Sequence, residues 1–277
     1  VHLPANTANA RHESRGEDFS SSRGTVLTAS ATINVKGVWS ALGAATGFTY
    51  EGFTVYLHRP QPAADYMIDI GIDDGAGNNS ILLPDLHFAA FKQADEQNLQ
   101  MFVPVHVPAG ALVVARVASS TASAICACLI VGHSANPGGF PGFSRVVALF
   151  TPALSRGINV DPGGTANTKG AWAELTASSS VDVAALFGVV GYNGDIARAA
   201  TASMLLDIGL GAGGSEFVLV PDISFGWGTT WDGPNDVFFQ PIAAQIAIAT
   251  RVAARAQCDV TTDSDRDIDL AVYGLVR

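Results

Sequence analysis

Asn34-Val35-Lys36-Gly37-Val38-Trp39 returns 133 residues later as Asn167-Thr168-Lys169-Gly170-Ala171-Trp172. Four of the six positions are identical and keep their spacing. Further out, Asp69-Ile70-Gly71 is answered by Asp207-Ile208-Gly209, and Leu82-Leu83-Pro84-Asp85 by Leu219-Val220-Pro221-Asp222. Phe102-Val103-Pro104 is answered by Phe239-Gln240-Pro241, and Ala115-Arg116 by Ala254-Arg255. The order never breaks, and the offset drifts only as loop insertions would make it drift. Ordered self-similarity of this kind marks a duplicated structural unit. A chain of 277 residues is long enough for two domains of about 100–150 residues each. Copy 1 is read as residues 25–133 and copy 2 as 148–277. Between them lies a Gly/Pro-rich linker, 134–147, and before them a polar N-terminal arm, 1–24.

Within each copy the hydrophobic period is two. Thr25, Leu27, Ala29 and Ala31 alternate with Val26, Thr28, Ser30 and Thr32. The segments 53–58, 67–72, 80–83, 103–107, 112–118 and 125–131 are short, apolar or β-branched, and bounded by turn residues. Copy 2 repeats the pattern, with 183–191 apolar throughout, as a buried strand would be. Seven or eight short strands per copy predict two tandem, homologous, antiparallel β-sandwiches of jelly-roll type. The only stretch with room for a short helix is 85–98. Trp39 and Trp172 hold equivalent places and are expected to be one large core anchor per sandwich rather than a ligand platform.

The formal charge is −10, lysine occurs only at 36, 92 and 169, and the 12 arginines are scattered. Nucleic-acid binding needs clustered cations and is not expected. No apolar run of about 18 residues predicts a membrane span. The polar start lacks the apolar core of a signal peptide. Charged residues make up 14% of the chain, against roughly 25% in an average globular protein, so part of the surface is expected to be covered by other chains. Cys126, Cys128 and Cys258 are too few and too unevenly placed for a disulfide framework. Buried thiols made in a reducing cytoplasm are the expectation.

No motif for a nucleophile elbow, a zincin helix or a phosphate loop occurs. The six histidines share no metal-ligand spacing, and copy 2 has none. Catalytic, cofactor and metal residues are therefore all assigned as none, and no enzyme is expected. Three features remain. Residues 73–79, Asp-Asp-Gly-Ala-Gly-Asn-Asn, offer hard oxygen donors but lack a closing bidentate acid, which favours a plain hairpin turn over a calcium loop. Asp263, Asp265, Asp267 and Asp269 would share one strand face, held by solvent, by Arg251 and Arg255, or by a cation. Trp227 and Trp231 lie in a Gly-rich insertion, 224–235, that copy 1 lacks. They are either packed under the loop or part of a contact surface for sugar or protein.

The repeated Asn-x-Lys-Gly-x-Trp, Asp-Ile-Gly and Leu-x-Pro-Asp blocks resemble tandem β-sandwich virion proteins of tailed bacteriophages and gene-transfer-agent-like particles. The resemblance runs from about residue 25 to the end of the chain. It implies a structural role as a head decoration, head spike or tail appendage on the virion surface, assembled in the host cytoplasm. It further implies a homo-oligomer, often a trimer, bound to other virion proteins, with the N-terminal arm available to dock on a neighbour. The alternative expectation is a carbohydrate-binding or host-adhesion module using Trp227 and Trp231 on host glycans.

Overall fold

The computed structural model describes residues 10–18, 23–76, 78–89, 98–135, 142–152, 154–192, 201–227, 237–261 and 267–277. The strands of the first copy are β1 (His12–Arg15), β2 (Glu17–Asp18), β3 (Arg23–Thr28), β4 (Ser40–Ala41), β5 (Gly52–Gln61), β6 (Asp65–Asp73), β7 (Asn79–Ala89), β8 (Asn98–Val103), β9 (Leu112–Ser119) and β10 (Ile125–His133). Those of the second are β11 (Arg145–Ala148), β12 (Ile158–Val160), β13 (Ala173–Thr176), β14 (Val183–Tyr192), β15 (Ala202–Leu210), β16 (Phe217–Trp227), β17 (Val237–Ile246), β18 (Val252–Cys258) and β19 (Ile268–Val276). No helix occurs among the described residues.

The first copy forms one sheet ordered β2-β3-β10-β5-β8 and another ordered β4-β9-β6-β7. The second repeats this as β11-β19-β14-β17 and β13-β18-β15-β16, with β12 alongside β19. Numbering eight principal strands within a copy, the orders are 1-8-3-6 facing 2-7-4-5, the jelly-roll arrangement. All pairings between these strands are antiparallel, and each stays within its own copy. Period-two alternation sends Leu27, Val55, Leu57, Cys126, Cys128 and Ile130 inward in the first copy. Leu186, Val190, Leu206, Ile208, Leu270 and Val272 fill the second.

Several expectations change at this level. The stretch from residue 85 to 89 continues β7 as strand, and residues 90–97 lie outside the described set. Both faces of β7 are covered at Leu86, His87 and Phe88, so its alternation is hidden in the sequence. Part of the polar arm is built into its own module, because β1 pairs with β10 and β2 with β3. Glu13 anchors it, accepting the Gly47 N–H at 2.9 Å and the hydroxyl of buried Tyr50 at 2.5 Å. Cys126 and Cys128 face the core, where burial pushes the Cys128 thiol up to about 12 and Cys126 further.

Candidate functional site

The repeated residues converge on one construction, made twice. In copy 1 the Lys36 ammonium lies 2.8 Å from Asp69 Oδ1 and 2.8 Å from Asp85, and donates to the Met67 carbonyl at 2.9 Å. Arg116 Nε donates to Asp69 Oδ2 at 2.8 Å, and the Asp85 N–H donates to Asp69 Oδ1 at 2.9 Å. In copy 2 Lys169 lies 2.7 Å from Asp207 and 3.0 Å from Asp222, and donates to the Leu205 carbonyl at 3.1 Å. Arg255 and the Asp222 N–H donate to Asp207, each at 3.0 Å. The knot ties the loop before β4 or β13 across the outer side of the β4-β9-β6-β7 sheet or its counterpart.

The remaining motif positions serve the same knot. Asn34 and Asn167 have φ of 59° and 57°, and Asp85 and Asp222 have 49° and 51°. Asn and Asp tolerate this left-handed conformation better than most residues. Trp39 and Trp172 are half-buried and do not join the core, contrary to the anchor expectation. Each lies under a guanidinium, with Arg116 4.4 Å from the Trp39 ring centre and Arg255 4.6 Å from that of Trp172. The glycine of Asp-Ile-Gly makes room for the ring: a Cβ on Gly209 would stand 2.5 Å from Trp172. Burial alone would raise the Asp69 carboxyl. The Lys36 charge, the Asp85 N–H and Arg116 outweigh it and hold Asp69 below the usual carboxylate value. Asp207 is held down in the same way, against burial, by Lys169, the Asp222 N–H and Arg255.

A second cluster occurs once, where copy 2 lies over β7. Asp65, His87 and Asp269 bring one ligand-type atom each to within 4.8 Å of one another. His87 and Asp269 are fully buried. His87 Nε2 is 3.7 Å from Asp65, and Arg156 Nε is 3.9 Å from the same carboxylate. Beside them the buried Tyr273 hydroxyl accepts the His87 N–H at 3.0 Å and donates to the Asp85 carbonyl at 2.7 Å, closing backbone groups on the outer edge of β7. Sequence reading missed this cluster, because Asp65 and His87 come from the β6–β7 hairpin of one copy and Asp269 from β19 of the other.

The predicted candidates fall as follows. Asp263 and Asp265 lie outside the described residues. Asp267 accepts from Asn159 Nδ2 at 3.2 Å, and Asp269 joins the buried cluster. Arg251 and Arg255 do not neutralise this strand: Arg251 pairs with Glu174 and Glu216, and Arg255 with Asp207. Arg255 lies on β18 and Arg251 just before it, in the opposite sheet of the sandwich from Asp269 on β19. At residues 73–79, Asp74 accepts the Ala76 and Asn78 N–H groups at 2.8 and 3.1 Å, and Asp73 accepts that of Gly75 at 2.8 Å. The carboxylates are thus used to close the β6–β7 hairpin. Trp227 ends β16 opposite Ala202; its side chain and the whole of Trp231 lie outside the described set. A groove of about 800 Å³ runs between Val181–Ala184, Gln245–Ile248 and the chain end at Val276–Arg277. Among its described lining residues none is aromatic, so none offers a face on which a sugar ring could stack.

No family model matches the chain, and no curated protein matches it. Among solved structures it is similar to PNGase F, a glycosylasparaginase from Flavobacterium meningosepticum, at 10% identity, covering 97% of this chain and 96% of that one with a TM-score of 0.42. It is similar to the N-terminal CBM22-1–CBM22-2 tandem domain of Paenibacillus barcinonensis Xyn10C at 12% identity, covering 97% and 91%, with a TM-score of 0.27. A third likeness is to the cowpea mosaic virus top component, at 8% identity, covering 97% and 90%, with a TM-score of 0.29. These likenesses concern all-β architecture alone.

Proposed function

We propose that the chain is a structural, non-enzymatic protein of a phage-like virion, decorating the capsid or forming part of a spike or fibre on the particle surface. The observation that carries this reading is the fate of the repeated residues. Lys36, Asp69, Asp85, Arg116 and Trp39, with their five counterparts in copy 2, are engaged with one another in fastening a loop to a sheet. What the duplication has kept is scaffold. A lysine-poor, low-charge surface supports partners that are further copies of the chain and other coat proteins. Purified chain added to tailed-phage particles that lack it should cosediment to a saturating ratio. A chain that stays in the supernatant at every concentration counts against the role.

A second reading, adhesion to host glycans, is favoured by one feature: two tryptophans, Trp227 and Trp231, in an insertion found only in copy 2. A glycan-array signal lost in the Trp227→Ala/Trp231→Ala variant would support it. A blank array would remove it.

A further inference from the structure

The two copies are alike, but only one of each pair of equivalent surfaces is covered. Register and sequence make β7 the counterpart of β16, with Asp85, Leu86, His87 and Phe88 matching Asp222, Ile223, Ser224 and Phe225. On β7, Leu86, His87 and Phe88 are buried, and Tyr273 of copy 2 caps the strand's backbone at Asp85 and His87. On β16, Ile223 and Phe225 are half-buried and Ser224 is exposed. The Asp85 side chain is 27% exposed and that of Asp222 is 59%. Strand β16 is thus an 11-residue edge strand with Val220 as its one buried residue among those described. A long open edge of this kind is a template for another chain.

The opposite half of the contact shows the same asymmetry. In copy 2 the outer face of the β11-β19-β14-β17 sheet is buried at Phe187, Val189, Ala271 and Tyr273. The aligned strands β5 and β10 of copy 1 present Thr54, Tyr56, Leu129 and Val131 there. Of these, Tyr56, Leu129 and Val131 are partly open. The charges have also been removed. Asp65, His87 and Asp269 of the internal contact correspond to Ser203, Ser224 and Ala127. A contact made through the second set would bury no ionised group from that cluster and would need no counter-charge.

We infer that β16 of one chain docks on the outer face of the β1-β10-β5 sheet of a second copy of this chain, repeating between molecules the contact that joins the copies within one. The inference rests on the structural reading above and adds its surfaces. The two faces lie on different modules, so the contact is head-to-tail and propagates until a ring closes. The internal junction already supplies one worked example of that packing.

The test uses two full-length variants, Ser224→Glu on exposed β16 and Leu129→Glu on the partly open copy 1 face. Each alone should run as a single chain of 28.6 kDa, where the wild type runs at a multiple of that mass. Mixed in equal amounts they should form a two-chain species and nothing larger, because one intact face survives on each. Circular dichroism and melting temperature report whether each variant is folded. Val131→Glu replaces Leu129→Glu should the latter unfold. A wild-type oligomer that both variants leave intact overturns these surfaces while sparing the structural reading. Two single-chain variants that do not recombine overturn the head-to-tail arrangement. A wild type that is a single chain at all concentrations overturns the inference, and cosedimentation with particles then decides the reading separately.

Discussion

Strands β7 and β16 are the same element in two settings. Each begins from the same hairpin, reaches an Asp in the left-handed conformation, and gives that residue's N–H to the acid of Asp-Ile-Gly. Beyond that point they part. β7 goes under the second module and carries His87 against Asp65 and Asp269, whereas β16 stays open with Ser224. The repeat has therefore been held constant where the chain fastens to itself. It has changed where a surface passes from exposed to covered.

Removing the shared part should produce the largest effect. Asp69→Ala or Asp207→Ala leaves a lysine and an arginine facing each other without their acid, and each should cost about 3–5 kcal/mol in urea unfolding. Both carboxyls are held below their ordinary value of 3.8. Their contribution is complete above that pH and lost as pH falls through the lower folded value. The gap between wild type and either variant should therefore close on acidification. A gap that widens would mean that the ion pairs have been misassigned.

The next effect isolates the covered edge. Tyr273→Phe removes the hydroxyl that serves the His87 N–H and the Asp85 carbonyl, at about 1–3 kcal/mol. Hydrogen exchange should speed up at His87. The same readout at Ser224 should not move, because the second copy has no such cap.

A smaller effect tests the twin rings. Arg116→Lys and Arg255→Lys keep the charge but lose the planar stack on Trp39 and Trp172, at about 0.5–1 kcal/mol each. Tryptophan fluorescence should shift in both variants.

The smallest effect belongs to the first copy alone, where β1 is pinned to β10 by a 2.8 Å hydrogen bond between His12 Nδ1 and His133 Nδ1. One of these nitrogens must be an unprotonated acceptor. Burial, with the His12 charge, lowers the His133 value below 6.5, so the folded state favours the neutral ring. The unfolded state takes up the proton first as pH falls through 6.5, and the contribution drains away below it. Exchange in residues 12–15, corrected for intrinsic rates, should be faster at pH 5 than at pH 7.5, with no matching change in β11.

The duplication and the all-β class were legible because the knot demands particular residues at particular spacings. An ammonium, a left-handed Asn, a glycine under an indole and a buried acid cannot be exchanged freely, so they stand out twice. The role of Trp39 and Trp172 was not legible. A large aromatic residue beside a strand reads as core, and only the placement of Arg116 and Gly71 shows that it is a stacked cover on the outer side. Within the stretch that had room for a short helix, residues 85–89 are strand, and burial of both faces of β7 hides their period of two. The cluster of Asp65, His87 and Asp269 had no sequence signal beyond Asp269, since Asp269 meets the other two only after two modules have folded and docked. Within the acidic quartet, Arg251 and Arg255 were near in sequence but belong to the opposite sheet, where other acids hold them.

The most direct test of packing that continues beyond one chain is sedimentation equilibrium of the wild-type protein over a wide concentration range. Species at multiples of 28.6 kDa, populated more as concentration rises or closed at one fixed multiple, are the predicted result. A single 28.6 kDa species at every concentration would contradict it.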